Sequence, residues 1–354
     1  MDRDLYGERK GVEKMKAYVI DGRCSGGIRQ VPKPVPGDEE VLIKVMAVGI
    51  CGTDGHLYRG DYPTPYPVIP GHEYAGIVEA VGAGVKHFKP GQRVSADPNI
   101  YCENCDNCKR NRQNFCLDFR GLGEKVNGSF AEYMTIPERC VFDIGSLKFT
   151  AAAMAEPLSC VIHGQENARP HFGDKVLIFG AGPIGLMHLQ LCRRNGASRV
   201  TVVDLKEENL RLAESLHADD AVPGGEGLKE RLAEVSKSGF DLVIDCTGVP
   251  AVLEQALSFL ADGGRLLIFG VCPEEGRISV SPYDIFRREL KIIGSFSLKK
   301  TFYTALEQLK SGLVETDCLI GDRILLDDLP EKIERFAAGR CRLKTMVYPH
   351  GFVD

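Results

Sequence analysis

The sequence predicts an α/β protein built in two parts, a β-rich and turn-rich first part and then a doubly wound parallel sheet. Three observations carry this. Residues 175–185 read KVLIFGAGPIG, an apolar strand running into a glycine turn and the start of an apolar helix. From about residue 150 onward, strand-like and helix-like segments alternate at the spacing of βαβ units, which assemble into parallel sheets. Ahead of that point, short apolar runs are separated by dense Gly and Pro punctuation, the texture of a barrel or sandwich.

Taken in order, residues 1–14 are polar and lack the apolar stretch of a secretory signal, so a loose extension on a cytoplasmic chain is expected. Residues 16–20 and 40–48 read as strands. In the second, Val41, Ile43, Val45 and Ala47 alternate with Leu42, Lys44, Met46 and Val48, giving two largely apolar faces. Pro32, Pro34, Pro36 and Gly37 between them do not fit a strand interior. Further apolar runs at 74–81, 93–96 and 131–136 continue the β-rich part, and 150–168 reads as helical, with Ala155-Glu156-Pro157-Leu158 opening the helix that leads into the parallel-sheet part. Strands are then expected at 175–180, 199–204, 241–246, 265–270 and 291–294, with helices at 183–195, 207–217, 227–236 and 250–261. Helices at 301–311 and 329–338 and a strand at 343–347 close the chain.

Composition narrows the function. A net charge of −5 over 354 residues offers no basic patch for nucleic acid. No apolar run is long enough to span a bilayer. Thirteen cysteines on a chain without a secretory signal point to thiols rather than disulfides.

The glycine turn suits a dinucleotide. Gly180 allows the tight turn, Gly182 keeps side chains away from a pyrophosphate, and Gly185 lets the helix lie close to the strand. Pro183 and Ile184 open that helix, whose free N–H groups face the phosphates. The next strand ends in Asp204, 24 residues after Gly180, where a carboxylate can bind the adenosine ribose. A 2′-phosphate would meet that charge, so NAD is preferred over NADP, with Lys206 offsetting part of the repulsion. The plainer alternative is a glycine turn in an α/β domain that binds no nucleotide.

Two sets of metal-ligating residues stand out. Cys102, Cys105, Cys108 and Cys116 form C-x2-C-x2-C-x7-C, four thiolates able to enclose one Zn²⁺ with no open position, as in structural sites. Cys51 within CGTD, His72 within GHE and Glu156 within EPL each have a bland reading: packing, a surface histidine, or favourable charge at a helix start. Together they suit a catalytic zinc with one position left for substrate. In that arrangement Asp54 would accept the other ring N–H of His72 and fix its tautomer.

These features, in this order and at these separations, resemble the zinc-dependent medium-chain dehydrogenases, and the resemblance covers residues 15–349. It implies a GroES-like β-rich catalytic domain over 15–160 and 304–354 and a Rossmann NAD-binding domain over 161–303, with the active site in the cleft. It also implies that Cys51 and His72 are zinc ligands. Glu156 replaces the cysteine of classical alcohol dehydrogenases, which with Glu73 points to the polyol (sorbitol-like) branch and leaves the fourth ligand open between the two glutamates. Thr53 matches the proton-relaying hydroxyl, and His56 lies near substrate. Cys246-Thr247-Gly248, Phe269-Gly270-Val271, Ser295 and Phe296 fall where the family contacts nicotinamide and substrate. The implied reaction is hydride transfer from a secondary alcohol, a sugar alcohol, to NAD⁺. Threonine, butanediol, a sugar or a simple secondary alcohol are alternative substrates, and a non-catalytic nucleotide-binding protein is the alternative class. A homo-oligomer is expected, a tetramer ahead of a dimer.

Overall fold

The computed structural model describes residues 11 and 13–352, so most of the expected extension over 1–14 lies outside the described residues. The chain separates into two compact units. One runs to Pro157 and takes in Phe302–Lys310 and everything from Ile320, and the other comprises Leu158–Thr301 and Ser311–Leu319.

The first unit opens with an antiparallel hairpin, β1 (Lys14–Gly22) and β2 (Ser25–Pro32). The sequence reading has no strand at β2. Its two glycines and isolated Ile28 and Val31 show no alternation, and pairing with β1 is what extends it. There follow β3 (Glu40–Gly49), α1 (Gly52–Arg59), β4 (Glu73–Val81), β5 (Arg93–Ala96), β6 (Asn99–Ile100), α2 (Asp106–Lys109), β7 (Arg120–Gly121), β8 (Tyr133–Pro137) and β9 (Val141–Asp143). α1 is also unforeseen, because Gly52 and Gly55 lower its helix propensity. Asp54 fastens its first turn by accepting the Cys51 N–H at 2.8 Å.

The helical stretch expected at 150–168 consists of two helices, α3 (Phe149–Ala153) and α4 (Ala155–Ala168), the second opening at Ala155 where the Ala155-Glu156-Pro157-Leu158 segment indicates a helix start. Pro157 explains the break. Within a continuous helix it would leave the Ala153 carbonyl without its donor, whereas in the first turn of a new helix its missing N–H costs nothing.

The second unit alternates β10 (Lys175–Phe179), α5 (Pro183–Arg194), β11 (Arg199–Asp204), α6 (Glu207–Ser215), β12 (Asp220–Pro223), α7 (Leu228–Val235), β13 (Phe240–Asp245), α8 (Pro250–Ala256), β14 (Leu260–Ile268), α9 (Pro282–Arg288) and β15 (Lys291–Gly294). The strands form one parallel sheet in the order β12-β11-β10-β13-β14-β15, so successive strands lie on opposite sides of β10 and its carboxyl end is a switch point. Val176, Leu177, Ile178, Leu242, Val243 and Ile244 are fully buried, as a sheet covered on both faces requires.

A buried arginine ties this unit together. Arg265 on β14 is paired with Asp174 through Nη2 at 2.5 Å and donates through Nη1 to the carbonyls of Ala168 (3.2 Å) and Arg169. It thus joins the end of α4, the approach to β10 and the middle of the sheet.

The chain returns to the first unit through α10 (Phe302–Lys310), β16 (Ile320–Leu325), α11 (Leu329–Ala337) and β17 (Lys344–Tyr348). β17 is inserted between β16 and β3 in a sheet ordered β16-β17-β3-β4-β5-β9, with β8 also on β3. The expected range 304–354 for the returning part is interrupted. Residues 311–319 stay with the parallel sheet, where Gln190 Nε2 donates to Glu315 O at 3.1 Å and Gln190 Oε1 accepts the Glu315 N–H at 2.7 Å.

Replacing Arg265 by alanine strands the Asp174 carboxylate in the interior, so Arg265→Ala is expected to cost about 3–5 kcal/mol of stability. Urea denaturation monitored by circular dichroism measures this, and Arg265→Ala combined with Asp174→Ala is expected to lose less than the single variant.

Candidate functional site

The register of the first sheet brings one set of candidate ligands together. Gly49 at the end of β3 pairs with Glu73 at the start of β4, so Cys51, just past one strand, and His72, just before the other, leave the same end of the sheet. Gly49 is required there, since a Cβ at that position would fall 2.2 Å from Glu73 Oε2. The sulfur of Cys51, a ring nitrogen of His72 and a carboxylate oxygen of Glu73 all lie within 4.8 Å of one another. Ligands 2.0–2.3 Å from a tetrahedral Zn²⁺ are roughly 3.5 Å apart, so the spacing fits that ion.

Asp54 differs from expectation. Its carboxylate is 3.9 Å from His72 Nδ1, too far for a hydrogen bond, and that nitrogen has no hydrogen-bond partner. Instead Oδ2 accepts the Cys51 N–H at 2.8 Å and Oδ1 accepts the Gly71 N–H at 3.1 Å. A fully buried carboxylate thus fixes the backbone of both ligand loops. Burial pushes its carboxyl up to about 6, against the opposing pull of His72 and the Cys51 N–H.

Lys344 on β17 is the member that sequence spacing could not reveal, standing 271 residues from its partner. Its ammonium donates to Ile50 O at 3.0 Å and to Glu73 Oε1 at 2.7 Å. It lies equally close to Glu73 Oε2, but without hydrogen-bond geometry, so that oxygen has no hydrogen-bond partner.

The site favours positive charge. Burial alone opposes charge on His72 and Lys344. Both are nonetheless held above their ordinary ranges, by Cys51 and Asp54 at His72 and by Glu73 and Cys51 at Lys344. A buried pocket that stabilises cations, with an imidazole nitrogen that lacks a hydrogen-bond partner beside a thiol and a carboxylate, has the donor set and the field a zinc ion needs. Glu156, buried in the first turn of α4, stands outside the three-ligand set, though its charge is felt at both His72 and Lys344.

Thr53 and His56 ride on α1. Thr53 Oγ1 is 3.8 Å from Cys51 Sγ, which places a hydroxyl beside the ligands. His56 is more exposed, and its Nδ1 is 2.8 Å from Asp61 Oδ1.

The four sulfurs of Cys102, Cys105, Cys108 and Cys116 also lie within 4.8 Å of one another. Cys102 and Cys108 are 3.9 Å apart, far beyond a disulfide bond. Backbone N–H groups hold Cys105 down to about 6 and lower Cys102, while burial pushes Cys108 up to about 12 and raises Cys116. Only Tyr101 and Phe119 supplement the cysteines in the lobe's own apolar cluster, so a metal would supply cohesion the lobe lacks.

In the second unit the expected cofactor residues collect at the carboxyl ends of the parallel strands. Gly180 takes φ +95°, and a Cβ at Gly185 would fall 1.8 Å from its carbonyl oxygen. Around Gly182 nothing lies within 4 Å of an added Cβ, so that face of the turn is open. Pro183 and Ile184 open α5. Asp204 accepts the Ala181 N–H at 2.7 Å and the Lys206 N–H at 2.8 Å, which fixes the acid against the glycine turn.

Asp245, fully buried at the end of β13, escaped the sequence reading. Its Oδ1 accepts from the Thr247 N–H (3.1 Å) and hydroxyl (2.6 Å), and its Oδ2 from the Gly248 N–H (3.1 Å). Its carbonyl accepts from Phe269 and Gly270, so one residue shapes both Cys246-Thr247-Gly248 and Phe269-Gly270-Val271. The readable signal was an acid ending a parallel strand, as at Asp204. The Phe269 ring packs edge-on against His188, and Val271 and Phe296 are exposed. The Ser295 hydroxyl is buried without a hydrogen-bond partner.

Residues 37–146 match the alcohol dehydrogenase GroES-like domain family, and residues 183–311 match the zinc-binding dehydrogenase family. The chain is 40% identical over 318 residues to the D-altritol 5-dehydrogenase of Agrobacterium fabrum, spanning 88% of this chain and 91% of that one. It is 36% identical over 348 residues to the sorbitol dehydrogenase of Bacillus subtilis, spanning 96% and 98%. A solved dehydrogenase from Sinorhizobium meliloti, described as zinc-binding and bound to NADP, superposes with a TM-score of 0.90 at 34% identity, covering 95% of this chain and 100% of that one.

Two substitutions separate the metal centres. Cys51→Ser is expected to remove about one zinc per chain and leave the four-cysteine lobe loaded, and Cys105→Ser to do the reverse with a loss of stability. Elemental analysis with thermal unfolding checks both, and equal zinc content in Cys51→Ser and wild type contradicts the assignment.

Proposed function

The chain belongs to the zinc-dependent alcohol dehydrogenases, and from that premise we propose that it oxidises a secondary alcohol of a sugar alcohol to the ketose with NAD⁺. Zinc, when bound, lowers the pKa of an alcohol, and NAD⁺ accepts the hydride from its carbon. The polyol reading is carried by Glu156, which stands where the classical alcohol dehydrogenases this chain resembles have a cysteine and whose charge is felt at His72, together with the carboxylate Glu73 grouped with Cys51 and His72.

We assign Cys51, His72 and Glu73 to hold the catalytic ion, and Cys102, Cys105, Cys108 and Cys116 to hold the structural one. Asp54 keeps the two ligand loops in place. Thr53 Oγ1 accepts the alcohol proton as it releases its own, and His56, 38% exposed, is the outlet of the relay to solvent. In the second unit, which we assign as the NAD domain, the turn from Gly180 to Gly185 receives the pyrophosphate and Asp204 the adenosine ribose. The backbone around Thr247 and Gly270, with Ser295 and Phe296, faces the nicotinamide half.

Placement in the cytoplasm is supported by thirteen cysteines, none of which forms a disulfide. No helix among the described residues is long and apolar enough to cross a membrane. A homo-oligomer, tetramer ahead of dimer, is supported by β15, an edge strand next to exposed Tyr283, Phe286 and Ile292.

NADH formation across D-altritol, sorbitol, xylitol, both arabinitols, galactitol, 2,3-butanediol, threonine and 2-propanol tests the reading. The expected result is turnover of a polyol with NAD⁺ that chelation abolishes and zinc restores. Turnover of threonine or butanediol alone would overturn the substrate class while leaving the chemistry. Asp204→Ser is expected to shift the NAD/NADP ratio of kcat/KM toward NADP by about tenfold or more, since it removes the charge facing a 2′-phosphate.

A further inference from the structure

The nitrogen that orients His56 has two partners with opposite demands. Nδ1 is 2.8 Å from Asp61 Oδ1 and 3.0 Å from Arg59 Nη2. A carboxylate only accepts, so a bond to Asp61 needs the proton on Nδ1. A guanidinium only donates, so a bond to Arg59 needs Nδ1 bare and the proton on Nε2. One ring nitrogen of a neutral imidazole cannot satisfy both.

Arg59 is already engaged elsewhere. Its Nε donates to Asp61 Oδ2 at 2.9 Å and its Nη1 to Ala337 O at 2.8 Å. Asp61 Oδ1, by contrast, has His56 as its hydrogen-bond partner, and a bare Nδ1 at that distance would set a lone pair against an anion. The arrangement also favours the anion: burial tends to raise the Asp61 carboxyl, but the bonds from Arg59 and His56 outweigh it and hold the group below its usual range.

We propose that Asp61, itself anchored by Arg59, is a positioning residue that keeps the proton of His56 on Nδ1 and so presents Nε2 as the proton acceptor of the relay. The inference rests on the reading of His56 as the outlet for the alcohol proton. Asp61 would then fix the ring's tautomer and orientation, as carboxylates do for histidines in other sites.

Nitrogen NMR of the zinc-loaded enzyme with ring-labelled histidine tests this, with His56→Gln assigning the signal. The expected wild-type ring carries its neutral-form proton on Nδ1, and Arg59→Gln leaves it there. In Asp61→Ala the proton moves to Nε2, because Arg59 becomes the remaining partner of Nδ1. Turnover in Asp61→Ala falls on the order of tenfold with a smaller change in KM, and falls no further when Asp61→Ala is added to His56→Gln. Asp61→Asn, which keeps an acceptor in place, loses less.

A wild-type ring protonated on Nε2, a ring unchanged in Asp61→Ala, or an equal loss in the His56→Gln background would each overturn the proposal. Wild-type turnover in His56→Gln would overturn the relay reading and with it the role of Asp61 in turnover. The NMR result would still judge its hold on the ring.

Discussion

The candidate metal centre depends on the buried carboxylate of Asp54. Its two oxygens take one backbone N–H from each of two loops, Cys51 from the first and Gly71 from the second. The sheet brings these loops to one end, but a strand end leaves several possible paths for the chain that follows. Two N–H groups donating to one charged acceptor remove that freedom, and a charge-assisted bond is roughly twice as strong as a neutral one. The cost is desolvation of the acid, which the surrounding N–H groups and His72 offset only in part, leaving the carboxyl raised.

The second unit uses the same device. Asp245 and Asp204 each end a parallel strand and each gather backbone N–H groups from neighbouring turns. At a strand's carboxyl end the ladder stops, and the chain must turn sharply with its donors unpaired. An acid at that point satisfies them and freezes the turn. Loops that must approach a cofactor closely can then be glycine-rich without being loose: a Cβ at Gly270 would fall 2.2 Å from the Gly248 nitrogen.

The parallel sheet was the most legible part of the sequence, because its strands are continuous apolar runs and its helices repeat at regular spacing. The two sets of candidate metal-binding residues, Cys51 with His72 and the four-cysteine lobe, could be picked out for a different reason: metal chemistry restricts the residue types and their separation, and the fold brings each set together. What stayed hidden depends on pairing rather than composition. β2 becomes a strand only against β1. α1 is a helix despite two glycines because Asp54 caps it. Asp54 was identified as a partner of the site but given the wrong bond, since sequence order gives residues and not the 3.9 Å that separates it from the His72 ring. Lys344 was invisible because nothing in a local window links it to Glu73.

Lys344 also sets an order of events. The carboxylate of Glu73 meets its buried ammonium only after β17, the last strand of the chain, has been inserted beside β3. The parallel-sheet unit is almost wholly synthesised before that strand exists, while the first unit waits for it. The candidate ligands Cys51, His72 and Glu73 come from one short stretch of sequence, but the ammonium that faces Glu73 comes from position 344, so their electrostatic surroundings are complete only once β17 has paired with β3.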